Sequence, residues 1–168
     1  MLRTPLSLAL YLHGVRHLKI ALLLCSLLLS SSSLAITDAK MREILTSLYG
    51  ESEIYEVFYL KLREALVSGD KETVSKLNDY PIRVNFDSGT VHYKTASEFI
   101  NNYSNIVTDE MLSRISEHKF HDLFANSYGM HIGLGDIWFT GYCIGKIAGK
   151  ECDEVKINVT SYNVISIE

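Results

Sequence analysis

His118 and His121 stand three residues apart, with Glu117 and Asp122 on either side, and this is a spacing that zinc chemistry can use. Two imidazoles so placed share one face of a helix, and Glu117 or Asp122 would supply a third ligand. A metalloprotease would carry His-Glu-x-x-His, which this segment lacks. His118 also follows the apolar positions Met111, Leu112 and Ile115, where a cation suits the carbonyl end of a helix. A surface cap and turn, with no metal, is the expectation.

The run Gly129-Met130-His131-Ile132-Gly133-Leu134-Gly135-Asp136 has glycines that would let backbone approach a phosphate. A dinucleotide fingerprint needs a helix directly afterwards, whereas Ile137-Trp138-Phe139 reads as a strand. A tight turn between strands is expected, and no cofactor. His131 and Asp136 flank that turn and form the best acid–base pair in the chain. Such a pair works only if one member is desolvated enough to bring its pKa toward working pH. A structural histidine and an edge-turn aspartate fit the same pattern, and the residues alone leave both readings open.

Other catalytic signatures are missing. There is no Gly-x-Ser-x-Gly elbow, and no carboxylate pair for glycoside cleavage stands out among twenty acids. Tyrosines such as Tyr49, Tyr55, Tyr59, Tyr128 and Tyr162 are spread over every segment, as expected of core-edge residues, and Trp138 is expected in the core. Asn158-Val159-Thr160 matches a glycosylation acceptor but lies inside an alternating, strand-like stretch.

The first thirty-five residues carry only Arg3, Arg16 and Lys19 as charges, ahead of the apolar run Ile20–Leu29. That is a basic n-region followed by an h-region, and Ser33 and Ala35 provide small residues for cleavage before Ile36. Residues 1–35 therefore read as a signal peptide. Its apolar run is shorter than the ~20 residues a spanning helix needs. The n-region is long, and Val15 followed by Arg16, His17, Leu18 and Lys19 would be a more ordinary beginning. Cys25 invites lipidation, but Leu24 replaces the small residue that normally precedes a lipidated cysteine.

Residues 36–168 then form one domain, with 13 Lys and Arg against 20 Asp and Glu, a net charge of −7. Such a surface repels phosphate backbones, so nucleic acid is not an expected partner. Cys143 and Cys152 are the only cysteines left, and an oxidising compartment favours their pairing. The glycines between them suit a hairpin closed by that bridge.

The elements that must position these residues follow from the hydrophobic period. Ala39–Tyr49 is a candidate helix. Ser52 can cap a second helix with Ile54, Val57, Phe58, Leu62, Ala65 and Leu66 on one stripe, ended by Gly69. Asp70 caps a short third helix, which Pro81 prevents from continuing. From Ile82 the period becomes two, and Asp87-Ser88-Gly89 turns the strand back through Thr90–Lys94. Thr95 with Glu98, then Thr108, open two more helices. Leu123–Met130, Asp136–Ile144 and Val155–Thr160 read as strands of an antiparallel sheet.

Four of these segments, Phe58–Asp70 (FYLKLREALVSGD), Leu77–Val84 (LNDYPIRV), Ser97–Tyr103 (SEFINNY) and Leu123–Phe139 (LFANSYGMHIGLGDIWF), resemble small exported bacterial proteins of the cystatin-like, NTF2-like α+β superfamily. The resemblance implies N-terminal helices packed on a curved antiparallel sheet that forms a cone around a helix. A cone of that kind can hold groups such as His131 and Asp136 at its mouth. Fold does not choose among functions. The leading expectation is a periplasmic, non-enzymatic binding domain, of inhibitor or immunity type, whose partner is another exported protein. The alternatives are a pocket enzyme or small-ligand carrier, and an envelope protein that binds peptidoglycan.

Overall fold

A computed structural model of the chain describes residues 36–145, 152 and 154–164. The chain divides into two units at the Ala35–Ile36 junction, and the second, Ile36–Glu168, holds every described residue. The expected signal peptide, its cleavage at Ala35–Ile36 as a processing event and Cys25 all concern a segment outside the described residues. Among the described residues no helix is long and apolar enough to cross a membrane.

Helix α1 spans Asp38–Tyr49, with the Thr37 hydroxyl accepting the Lys40 amide at 3.2 Å. Helix α2, Glu53–Val67, begins after Ser52, whose side chain makes no capping hydrogen bond, contrary to the expectation, and buries Tyr55, Phe58, Tyr59, Leu62, Ala65 and Leu66. The stripe is rotated from the one read in the sequence, because Val57 is 59% exposed and two tyrosines take the inner positions. Tyr59 can be buried because its hydroxyl donates to the His118 carbonyl at 2.8 Å, satisfying the one polar atom on the ring. Asp70 starts α3, Lys71–Lys76, by accepting from the Thr73 amide at 3.0 Å and hydroxyl at 2.6 Å. The chain leaves helix before Pro81, and strand β1, Asn78–Phe86, already contains it.

Strand β2, Gly89–Tyr93, folds back on β1. Three helices follow: α4, Ala96–Asn101; α5, Tyr103–Ile106; and α6, Asp109–Glu117. The Thr95 and Thr108 hydroxyls accept the Glu98 and Met111 amides and so begin α4 and α6. After a 3-10 turn at Phe120–Asp122 come β3, Phe124–Asn126; β4, Gly129–Ile132; β5, Ile137–Ile144; and β6, Glu154–Val164.

Leu123–Met130, expected as one strand, is thus most of a hairpin. The Asn126 carboxamide accepts the Tyr128 amide at 2.8 Å, a side-chain turn that reverses the backbone. Gly129 follows at φ 146°, where a Cβ would stand 2.9 Å from the Phe139 carbonyl oxygen. The glycine-rich turn is correspondingly shorter than the sequence suggests, since Gly129–Ile132 is strand and only residues 133–136 turn.

The fold is α+β, and its six strands run in the order β2-β1-β6-β5-β4-β3. Helices cover one face: Phe58 of α2 meets Phe139 of β5 at 5.2 Å between centroids. Leu62, Leu66, Ile82, Phe139 and Tyr162 are completely buried between the layers. Each buried side chain of this size contributes roughly 1.5–3 kcal/mol. The sheet is not purely antiparallel as expected, because the last strand returns through its middle and pairs in parallel with β1. Register shifts interrupt β1–β6 between Asn78 and Arg83, and β5–β6 at Trp138/Phe139. Such irregularities bend and twist the strands that carry them. Cys143 and Cys152 are joined, with 5.5 Å between their Cα atoms, at the end of the β5–β6 hairpin where β5 stops and β6 begins.

Candidate functional site

Strand register assembles one row of side chains across the whole sheet. Phe124 pairs with His131, His131 with Trp138, Trp138 with Ser161, Ser161 with Arg83, and Arg83 with His92. The neighbours of these residues along the strands, among them Ile82, Met130, Ile137 and Phe139, point into the core. Alternation therefore places the row on the face away from the helices.

At one end of the row, the Phe124 and His131 rings stack with centroids 4.7 Å apart and planes 16° apart, and Trp138 lies 4.7 Å from His131. His131 Nδ1 is buried with no hydrogen-bond partner. Burial pushes the His131 pKa down, partly offset by the nearby Gly133 backbone and the charge of Asp136. Trp138, expected in the core, is instead half-buried on this outer face.

Where β6 bulges, Thr160 and Ser161 stand together beside Trp138. A cleft of about 310 Å³ opens at this point, lined by Arg83, Tyr128, Trp138, Thr160, Ser161 and Asn163. One wall is fixed by a chain of hydrogen bonds: Thr90 hydroxyl to Asn85 (2.9 Å), Asn85 amide to Asn163 (2.7 Å), and Asn163 amide to the Gly135 carbonyl (2.6 Å). Tyr128, 87% exposed, lies at the other side on the β3–β4 turn.

Asp136 does not form an acid–base pair with His131. Its carboxylate is completely buried, and Arg114 of α6 donates to both oxygens, from Nε at 2.9 Å and Nη2 at 2.7 Å. The hydrogen bond to Asp136 holds the Arg114 pKa above its ordinary value. The Asp136 amide donates to Ile132 and its carbonyl accepts from Asn163, so the residue fastens the 133–136 turn to both α6 and β6. Gly133, at φ 68°, is required there, because a Cβ would fall 2.1 Å from an Asp136 carboxylate oxygen.

The His118 group also separates. His118 ends α6 but is only 9% exposed, and it packs on Tyr59 with Nδ1 3.2 Å from the tyrosine hydroxyl. The cation at the helix's carbonyl end is Arg63 of α2, whose Nε donates to the His118 carbonyl at 2.9 Å and which also reaches the Ser116 carbonyl. Burial lowers the His118 pKa, against the opposing charge of Asp122. His121 turns elsewhere, with Nδ1 2.7 Å from Asp38. Among the described residues no three His, Cys, Asp or Glu side chains converge on a point that can hold a metal ion.

Asn158 is buried, and its amide donates to the Leu77 and Asn78 carbonyls, so this acceptor asparagine ties β6 to the start of β1. Reading the sequence missed Arg83, Tyr128 and Ser161 as one cluster. The signal available was the polar side of the Ile82–Phe86 alternation; the partner strands that complete the cluster are set by pairing between distant segments.

These features define an α+β domain whose exposed sheet face carries an aromatic and cationic cleft. No protein-family model matches the chain, and no curated protein matches it. Among solved structures it is similar to an NTF2-like protein of unknown function from Cytophaga hutchinsonii, at 14% identity over 78% of this chain and 90% of the other, with a TM-score of 0.32.

Proposed function

We propose that the protein is an exported, periplasmic, non-enzymatic binding domain that meets its partner with the outer face of the sheet. The observation that carries this reading is the continuous row from Phe124 to His92, with its cleft at Trp138, on a face the described helices leave uncovered. The aromatic end is accessible, Phe124 being 45% exposed, and aromatic and arginine side chains are the usual anchors of recognition surfaces. The Cys143–Cys152 bridge supports an oxidising compartment. A pocket enzyme has less support, because the helix side of the sheet is filled by Phe58, Tyr59 and Leu62 and Asp136 is committed to Arg114.

The test is capture from cell-envelope extract on immobilised protein. We expect material retained by the wild type and by Val57→Ser, on the opposite layer, but lost from the double variant Phe124→Ser/Tyr128→Ser. One dominant protein in that material would give the inhibitor or immunity-type form of the reading. Equal retention by all three, or by none, would count against it.

A further inference from the structure

We propose that the cleft between Arg83, Trp138 and Tyr128 binds a sugar ring bearing a carboxylate; this deepens, and rests on, the reading of the outer sheet face as a binding surface. Arg83 supplies the charge argument. Among the described arginines, Arg42 donates to Glu56, Arg63 to two backbone carbonyls and Arg114 to Asp136. Arg83 has only a 3.5 Å approach to the Ser161 hydroxyl, and no carboxylate among the described residues pairs with it. An exposed guanidinium with its fork unfilled matches a carboxylate in shape and charge. The domain's net charge is −7, so attraction for an anion at this place must come from Arg83 itself.

The neighbours select a hydroxylated ring over an aromatic one. Trp138 provides a flat platform, with the His131 ring packed beside it at 4.7 Å between centroids. Beyond the platform the lining is polar. Asn163 is already engaged and fixes the wall, and Thr160 donates to the Trp138 carbonyl at 3.3 Å. The Ser161 hydroxyl accepts only the long approach from Arg83 and keeps its proton for a ligand oxygen, and the exposed Tyr128 adds a second hydroxyl at the rim. An aromatic acid would leave the Ser161 hydroxyl, 2% exposed, without an acceptor, a cost that a ring hydroxyl removes. The volume, about 310 Å³, lies at the small end of ligand sites and suits a single ring.

Trp138 is the chain's single tryptophan, so its fluorescence reports directly on the cleft. Protein expressed for export and purified with its disulfide intact is titrated with glucuronate, glucose and benzoate. A saturable change is expected with glucuronate at millimolar concentration, and roughly tenfold weaker binding of glucose. Arg83→Gln, at an exposed position, should weaken glucuronate about tenfold, with Arg83→Lys between the two because it keeps the charge and loses the fork. Absence of saturation with glucuronate, or an unchanged midpoint in Arg83→Gln, would overturn the proposal. Benzoate binding as tightly as glucuronate would overturn the sugar assignment and give the cleft to aromatic acids. If glucuronate fails while capture still depends on Phe124 and Tyr128, the ligand assignment falls and the binding reading stands; loss of that dependence as well removes both.

Discussion

Replacing Arg114 by Met should destabilise the domain by roughly 3–5 kcal/mol, because it leaves the fully buried Asp136 carboxylate without its cation. Both hydrogen bonds to that carboxylate from α6 disappear together, and the 0% exposure of Asp136 denies it water in exchange. The reverse change, Asp136→Asn, should cost less, about 1–3 kcal/mol, since the Arg114 side chain is 19% exposed and can turn toward solvent. Combining the two removes both charges, so the double variant should be more stable than Arg114→Met alone. In a domain of this size about 1 kcal/mol moves Tm by roughly 3–5 °C, so the first change should lower Tm by about 10–25 °C. Urea unfolding followed by circular dichroism, on exported protein with the disulfide intact, measures all four members of the cycle. A cost below about 1 kcal/mol for Arg114→Met, or strict additivity in the double variant, would refute the assignment of Asp136 as a buried structural anchor.

Gly133→Ala should destabilise by at least ~1–3 kcal/mol, since it meets both a positive φ of 68° and an Asp136 oxygen; an unchanged urea midpoint would contradict the described turn. Acidification from pH 7.5 to 5.5 should lower Tm. Burial depresses the pKa of both His118 and His131, so the unfolded chain takes up protons first, and stability present above about pH 6.5 is lost as pH falls below it. His131→Phe keeps a ring in the stack and should flatten that slope; a Tm that holds or rises on acidification would oppose the reading. The untreated exported protein should show no titratable thiol, and reduction of Cys143–Cys152 should cost roughly 2–3 kcal/mol for a loop of this length, read from urea unfolding with and without reductant.

The sequence by itself determined the layer order and the hairpin bridge. Helix caps at Asp70, Thr95 and Thr108 and the two-residue period from Ile82 are local signals, written within a few residues of the structure they produce. The pairing of Cys143 and Cys152 was legible for the same reason, with a short glycine-containing loop and no other cysteine in residues 36–168 to compete. Side-chain destinations that depend on a distant partner were not legible. Tyr59 went inside because His118 offers a carbonyl, His118 followed it, and Asp136 became an anchor because α6 brings Arg114 to it across twenty-two residues. The split of Leu123–Met130 into two strands depended on the Phe139 carbonyl that only Gly129 can approach. The cleft belongs wholly to tertiary structure: Arg83, Trp138 and Ser161 lie on three strands whose register is set by core packing on the opposite face, and the parallel return of β6 between β1 and β5 makes them neighbours.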